Sequence, residues 1–316
     1  MTNFWQRLKK PIIGLAPMYG VTDEPMRQIQ VSIAKPDVIY TEFVRTEFLL
    51  AKPEKAQKAL SFKENQRPIV VQIYGSCPES FYLAVKKLVL MGFDGIDINI
   101  GCPRPSATKS GGGAALIGNF NLVETIVKNC LRAIGESDKK IPLSVKTRIR
   151  KNDLENKEWF SFLSQFPLSA VAVHGRCFAQ GVSGSVDWLK IKEAAEILKP
   201  KGIICLGNGG IKSLKEAEEV SCQYRLDGVL IGRAAIGNPW IFKNAVPEFT
   251  QVSETMIRHC RLAESFYQRG AFPMILKHLH AYPRGFKGAR NLRAELMAAK
   301  NVFDVETVLK KSRISR

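Results

Sequence analysis

Residues 69–100 read IVVQIYGSCPESFYLAVKKLVLMGFDGIDINI, and the fold turns on this stretch. Ile69–Tyr74 is a short β-rich apolar run, Pro78–Met91 is a longer amphipathic one, and Gly95–Ile100 is β-rich again. Near-continuous apolar runs suit parallel strands buried on both faces, so the stretch predicts a strand–helix–strand unit.

The same alternation continues on either side. Further strands are expected at Ile12–Ala16, Val38–Glu42, Leu143–Thr147, Ala170–His174, Ile203–Leu206 and Gly228–Ile231. Helices are expected at Asp23–Ala34, Leu122–Ala133, Leu189–Leu198 and Ser213–Ser221, with Thr22 or Asp23 capping the first and Ser213 the last. Eight strand–helix units in succession predict an α/β fold of the (β/α)8 TIM-barrel type. A doubly wound sheet is the competitor, but no GxGxxG follows the first strand, where a dinucleotide site would need it.

After Pro247 no β-rich run returns. Ser253–Gln268, Phe272–Ala281 and Ala289–Ala299 read as helices, with a turn at Pro283–Gly288. The expected organisation is a catalytic barrel over residues 1–247 and a small helical domain over 248–316, its end at Lys310–Arg316 a frayed basic tail.

Of the 316 residues 45% are apolar and 24% charged, a balance that excludes disordered and fibrous chains. No apolar run reaches the roughly 18 residues of a membrane span, and Met1–Pro11 carries Arg7, Lys9 and Lys10 with no signal-peptide stretch. A cytoplasmic protein with no membrane attachment is expected. The seven cysteines are scattered without CxxC spacing, which encodes neither a zinc site nor a disulfide framework; Cys130, Cys205 and Cys222 read as small buried apolar residues. The net charge of +18 is uneven, since residues 251–316 hold 13 Lys and Arg against 5 Asp and Glu. Such a field favours a polyanionic partner.

In a TIM barrel, ligands are handled where the strands end. Here those ends carry Ala16-Pro17-Met18, Glu42, Gln72, Asn99 with Cys102, Lys146 with Arg148, His174 with Arg176, Asn208-Gly209-Gly210, and Gly232-Arg233. Polar groups gather at one end of all eight strands. Glycine turns after the last two strands, with Arg233 adjacent, suit a phosphate. Lys146 offers a positive charge to an electron-rich ring edge, and Gln72 both donates and accepts, so flavin mononucleotide fits better than a bare phosphate ester. Cys102 stands in a Gly-Cys-Pro turn before the flexible 109–113 segment, of which Gly111–Gly113 is expected to close as a catalytic lid does. A thiol ionises near pH 8.5 in general and is therefore a proton donor at neutral pH. His278 and His280 are two apart and face different sides of a helix, so with His259 they are expected to be structural or phosphate-facing, and no metal is expected.

The segments Leu15–Asp23, Thr41-Glu42-Phe43, Val71-Gln72, Asp97–Pro103, Ser144–Arg148, Val173–Arg176, Asn208–Ile211 and Ile231-Gly232-Arg233 together resemble tRNA-dihydrouridine synthases of bacterial type. The pattern Leu279, Tyr282, Gly285, Gly288, Arg290, Leu292-Arg293 is similar to the helical RNA-binding domain of that family. The resemblance implies FMN at the barrel mouth, reduced by NADPH, over which a tRNA uridine is flipped. Hydride passes to uracil C6 and Cys102 protonates C5. It implies FMN contacts from Ala16, Pro17, Met18, Gln72, Lys146, His174, Asn208, Gly209, Gly210, Gly232 and Arg233. Asn99 and Arg148 would hold the uracil, and Lys109, Arg176, Tyr282, Arg290 and Arg293 would contact the tRNA. A monomer with no protein partner is expected. The chain departs from the family pattern at Cys177, Phe178 and Val182, and at Gly210, where an acid is common. Two rivals remain: an FMN oxidoreductase of free pyrimidines resembling dihydroorotate dehydrogenase, and a catalytically silent RNA-binding barrel. The basic helical tail opposes the first, and Cys102, Lys146 and Asn99 together oppose the second.

Overall fold

The computed structural model describes residues 3–243, 245–268 and 270–312. Eight parallel strands close a barrel in chain order: β1 (Ile12–Leu15), β2 (Val38–Arg45), β3 (Ile69–Tyr74), β4 (Gly95–Ile100), β5 (Leu143–Arg148), β6 (Ala170–His174), β7 (Ile204–Asn208) and β8 (Gly228–Ile231). This is the (β/α)8 barrel expected from the strand–helix alternation. Strand alternation sends Ile69, Val71 and Ile73 outward, into one core with Phe81, Val85 and Leu88. Val70 points inward and packs with Ile12, Val38, Tyr40, Ile204 and Leu230, and Phe4 and Trp5 join this cluster at the end where the strands begin. The interior is thus filled at one end, which leaves the other for a site.

The barrel helices are α1 (Glu24–Ile33), α2 (Thr46–Ala51), α3 (Pro53–Ala59), α4 (Pro78–Leu90), α5 (Pro105–Thr108), α6 (Phe120–Glu136), α7 (Asp153–Leu163), α8 (Trp188–Leu198) and α9 (Leu214–Gln223). Asp23 caps α1 by accepting from the Met26 amide at 3.0 Å, and Ser213 caps α9 by accepting from Glu216 at 3.1 Å. Strand β2 runs to Arg45, three residues past its expected end. A register shift between Tyr40 and Phe43 accompanies the extension and carries Phe43 to the mouth. Helix α7 is not foreseen from the sequence because charges crowd it, yet it buries Trp159, Phe160 and Leu163. Cys222 corrects another expectation: it is exposed, whereas Cys130 and Cys205 are buried and their thiols pushed up by burial. All seven cysteines are free.

Beyond residue 248 lie α10 (Phe249–Tyr267), α11 (Ala271–Ala281), α12 (Ala289–Ala298) and α13 (Val302–Lys311). The expected tail overlaps α13 at Lys310 and Lys311, and its last four residues lie outside the described ones. These helices enclose a second core of Val252, Met256, Leu279, Leu296 and Val305, which Trp240 completes from the barrel side. Polar contacts tie the two parts together. The Tyr267 hydroxyl donates to Asp23 at 2.7 Å, and Arg258 donates to Ser32. Among the described residues no helix is long and apolar enough to cross a membrane.

Candidate active site at the barrel mouth

One side of the mouth is a chain of hydrogen bonds across β3, β4 and β5. Ser144 Oγ donates to Asp97 Oδ1 at 2.6 Å, and Gln72 Nε2 donates to Asp97 Oδ2 at 2.7 Å. Asn99 Nδ2 donates to Gln72 Oε1 at 2.8 Å, while Asn99 Oδ1 accepts from the amides of Gly101 at 3.0 Å and Cys102 at 2.9 Å. Burial of Asp97 pushes its carboxyl up to about 6, against the pull of Ser144, Gln72 and Lys146. The sequence reading missed Asp97 and Ser144, although two polar residues inside otherwise apolar strands were the signal. Asn99 proves to set the backbone turn that presents Cys102.

Cys102 is buried against Phe43 and Ala107, with Tyr74 alongside. The glycines after it pack closely around it. A Cβ at Gly113 would stand 2.7 Å from the Cys102 carbonyl oxygen, one at Gly112 would stand 2.9 Å from Gly75 O, and Ser76 Oγ donates to Ser110 O at 2.6 Å. The Ala114 amide donates to Cys102 O at 2.9 Å. Glycine is required here for close approach, and Gly113 also sits at φ +57°. Beyond Phe43, Tyr19 lies tilted against the Phe43 ring at 5.5 Å with Arg104 over its own ring at 5.1 Å; Tyr19 is 55% exposed. Tyr19, Phe43, Tyr74 and Arg104 were not singled out from sequence, since aromatic residues at strand ends read as core.

The opposite side, built by β5 to β8, is cationic. Lys146 Nζ donates to Asn208 Oδ1 at 2.9 Å, and Asn208 Nδ2 donates to Leu230 O at 2.8 Å. Burial, aided by Arg148, pushes the lysine down to about 8. Arg148 is nearly buried; its Nε donates to Gly101 O at 2.6 Å, and its Nη1 donates to Gly181 O at 2.6 Å, Arg176 O at 3.2 Å and His174 Nδ1 at 3.2 Å. Burial and the cations Lys146, Arg148 and Arg176 hold the His174 imidazole neutral, down to about 2. His174 Nε2 and Arg176 Nη1 lie 3.5 and 3.4 Å from where a Cβ at Gly209 would stand. Val186 Cγ2 stands nearer still, 3.0 Å from that position and 3.3 Å from the one at Gly210, and the two glycines adopt φ of +129° and +75°, so both the turn and the close approach of Val186 require glycine. Across from it, a Cβ at Gly232 would stand 3.6 Å from Met18 Sδ and 3.7 Å from Ala16 Cβ, with half-buried Pro17 between those two and exposed Arg233 adjacent.

The remaining candidates scatter. Lys109 and Arg290 are exposed and Arg293 partly so. Tyr282 is buried in the helical core with its hydroxyl against His259 Nδ1 at 3.0 Å, so it has almost no surface to offer an RNA. His278 is buried 4.8 Å from the His259 ring and His280 is exposed, as their two-residue spacing implies. No group of three or more metal-ligating side chains forms among the described residues.

The cationic side suits a flavin nucleotide. Arg176 Nη1, buried beside the Gly209-Gly210 turn, has no hydrogen-bond partner among the described residues, which leaves the cations of this cradle open to an anion. Gln72 and Lys146 keep donor capacity beyond the bonds they make. Fold and site therefore define an α/β-barrel protein with a mouth at the strand C-termini that is cation-lined on one side and walled by a cysteine on the other. The dihydrouridine synthase (Dus) family model matches residues 14–315, and the chain belongs to that family. It is 31% identical to a probable tRNA-dihydrouridine synthase of Staphylococcus aureus (strain COL), over 97% of this chain and 94% of that protein. It is 30% identical to probable tRNA-dihydrouridine synthase 2 of Bacillus subtilis (strain 168), over 97% and 95%. Among solved structures, a morphinone reductase variant in complex with tetrahydroNAD shares the barrel, with TM-score 0.52 and 11% identity over 73% of this chain and 85% of that one.

Proposed function

We propose that this protein reduces the C5–C6 double bond of uridines in tRNA to dihydrouridine, with FMN as bound cofactor and NADPH as reductant. The observation that carries the reading is the placement of Cys102. Its backbone is fixed by Asn99 and Gly113, with an aromatic wall beside it and the cation-lined cradle completing the mouth. Gln72, Lys146, His174, Asn208, Gly209, Gly210, Gly232 and Arg233 would hold the flavin nucleotide, with Ala16-Pro17-Met18 beneath its ring. Bound and reduced, the flavin supplies the hydride that C6 of the uracil accepts.

The rest falls to the chain. The Cys102 thiol donates its proton to C5, so uridine, NADPH and one proton become dihydrouridine and NADP+; solvent then reprotonates the cysteine. Asn99 orients the turn that aims the thiol, and Arg148 faces the uracil. A uridine must leave its stack to reach this mouth, at a general cost of a few kcal/mol. Exposed Tyr19 under Arg104 offers a stacking face for that nucleotide or its neighbour. Lys277 of α11 reaches the same rim, near Gly20, and Lys109, Arg290 and Arg293 supply phosphate contacts that fix register without reading sequence. A cytoplasmic setting follows from such a substrate. Incubation of unmodified tRNA with the protein, FMN and NADPH, followed by mass-spectrometric nucleoside mapping, tests the reading. A uridine heavier by two hydrogens is expected. No gain on any tRNA, from a folded flavin-loaded protein, would refute it.

A further inference from the structure

Arg176 follows β6 and is buried, 6% exposed, yet no carboxylate among the described residues neutralises it. Its Nε donates to Gly184 O at 2.9 Å, and its Nη1 is buried with no partner among the described residues. A buried guanidinium with an unsatisfied N–H is costly unless something binds there. That nitrogen lies 3.4 Å from the Cβ position of Gly209, so it borders the Gly209-Gly210 turn that follows β7. Arg233, at the end of the next strand but one, adds a second cation; burial first and Arg233 second lower the Arg176 pKa.

We infer that Arg176 is a ligand of the phosphate group of the flavin nucleotide, not of the RNA base. This rests on the flavin reading and goes beyond the contacts assigned there. A uracil carbonyl can accept hydrogen bonds, but it brings no negative charge to offset two guanidinium groups. A phosphate monoester brings both charge and acceptors, and it matches the planar fork of an arginine. The segment that carries Arg176 also places Arg148, through the carbonyls of Arg176 and Gly181. Gly184, at φ +76°, supplies the carbonyl that aims the Arg176 fork. One short loop therefore links the phosphate end of the cofactor site to the arginine facing the substrate.

The test compares FMN with riboflavin, which lacks only the phosphate. The full chain, freed of cofactor, is titrated with each by flavin fluorescence quenching. The Arg176→Gln variant should bind FMN about 10- to 100-fold more weakly than wild type and riboflavin equally well. Arg176→Lys, which keeps the charge, should recover part of the loss. Riboflavin binding also reports that the variant site is folded. If Arg176→Gln binds FMN as tightly as wild type, or loses both ligands equally, the assignment is overturned. If the wild-type chain binds neither flavin, the flavin reading itself falls, and with it this inference.

Discussion

The two sides of the barrel mouth differ in whether they are complete. On the β3–β5 side an unbroken run of polar groups is satisfied inside the chain, from Ser144 through Asp97, Gln72 and Asn99 to the Cys102 amide. On the β5–β8 side Lys146, Arg148 and Arg176 crowd around a neutral histidine and two glycines. Among the described residues no carboxylate pairs with them, and one guanidinium nitrogen has no partner. The first side is a rigid frame that holds a thiol. The second is half of an interaction whose other half is an anion. Stability and ligand affinity are thus placed in different residues, and substitutions should separate them.

The largest effect belongs to Cys102→Ala. The frame uses the Cys102 amide and carbonyl, not its sulfur, so the variant should fold and bind FMN like wild type. Dihydrouridine formation, counted by nucleoside mass spectrometry, should fall about 10²- to 10⁴-fold, the usual worth of a positioned proton donor. Wild-type product rates would remove the general acid from the mechanism. Asn99→Ala comes next. It strips partners from two amides and from Gln72 Oε1 at once, so denaturant unfolding should show a loss of about 2–4 kcal/mol. Arg176→Gln, on the unsatisfied side, should cost almost nothing in the same assay without flavin. Equal losses for the two would erase the contrast between the sides.

Lys146 sharpens the contrast through pH. Its ammonium loses charge as pH rises through about 8, because burial and Arg148 disfavour the charged form. The expected kcat/KM profile falls above that pH, with the limb moving upward when an anion is bound beside the lysine. Lys146→Met should be about 10- to 100-fold slower below pH 8, and any fall that remains at higher pH in the variant belongs to the proton donor and not to the lysine. A wild-type profile that is level to pH 10 would mean this charge takes no part.

What the amino-acid sequence reveals of this mouth, and what it hides, divides by the range of the contacts involved. All eight strands are readable because parallel strands buried on both faces leave apolar runs that need no partner to be recognised. The ends of those strands expose Gln72, Asn99, Cys102, Lys146, His174 and Asn208 for the same local reason. What escapes is set by contacts distant in sequence. Asp97 is informative only once Gln72 and Ser144 stand on either side of it. The 109–113 glycines read as a lid, and only the approach of Gly75 and Cys102 shows how closely they pack. The direction of Arg176 depends on a loop whose turn at Gly184 no periodicity announces. Tyr282 belongs to a pattern shared with RNA-binding helices, yet its ring is enclosed by α10 and α11.

Asp97 gives the smallest predicted effect and the most direct probe of the frame. Its folded-state pKa of about 6 lies above the ordinary 3.8, so between those values the folded protein holds a proton that the unfolded chain lacks. Wild-type stability should therefore decline as pH rises from about 4 to about 6 and stay lower above that. Asp97→Asn removes the titrating charge but can keep the network. Its carbonyl accepts from Gln72, its amide donates to Ser144 Oγ, and the serine hydroxyl turns to Ile96 O, already 3.3 Å away. The variant should match wild type near pH 4 and exceed it by on the order of 1–2 kcal/mol at pH 7 in denaturant unfolding. A variant less stable than wild type at pH 7 would show that the frame depends on the carboxylate charge itself, and that the first side of the mouth is no more self-contained than the second.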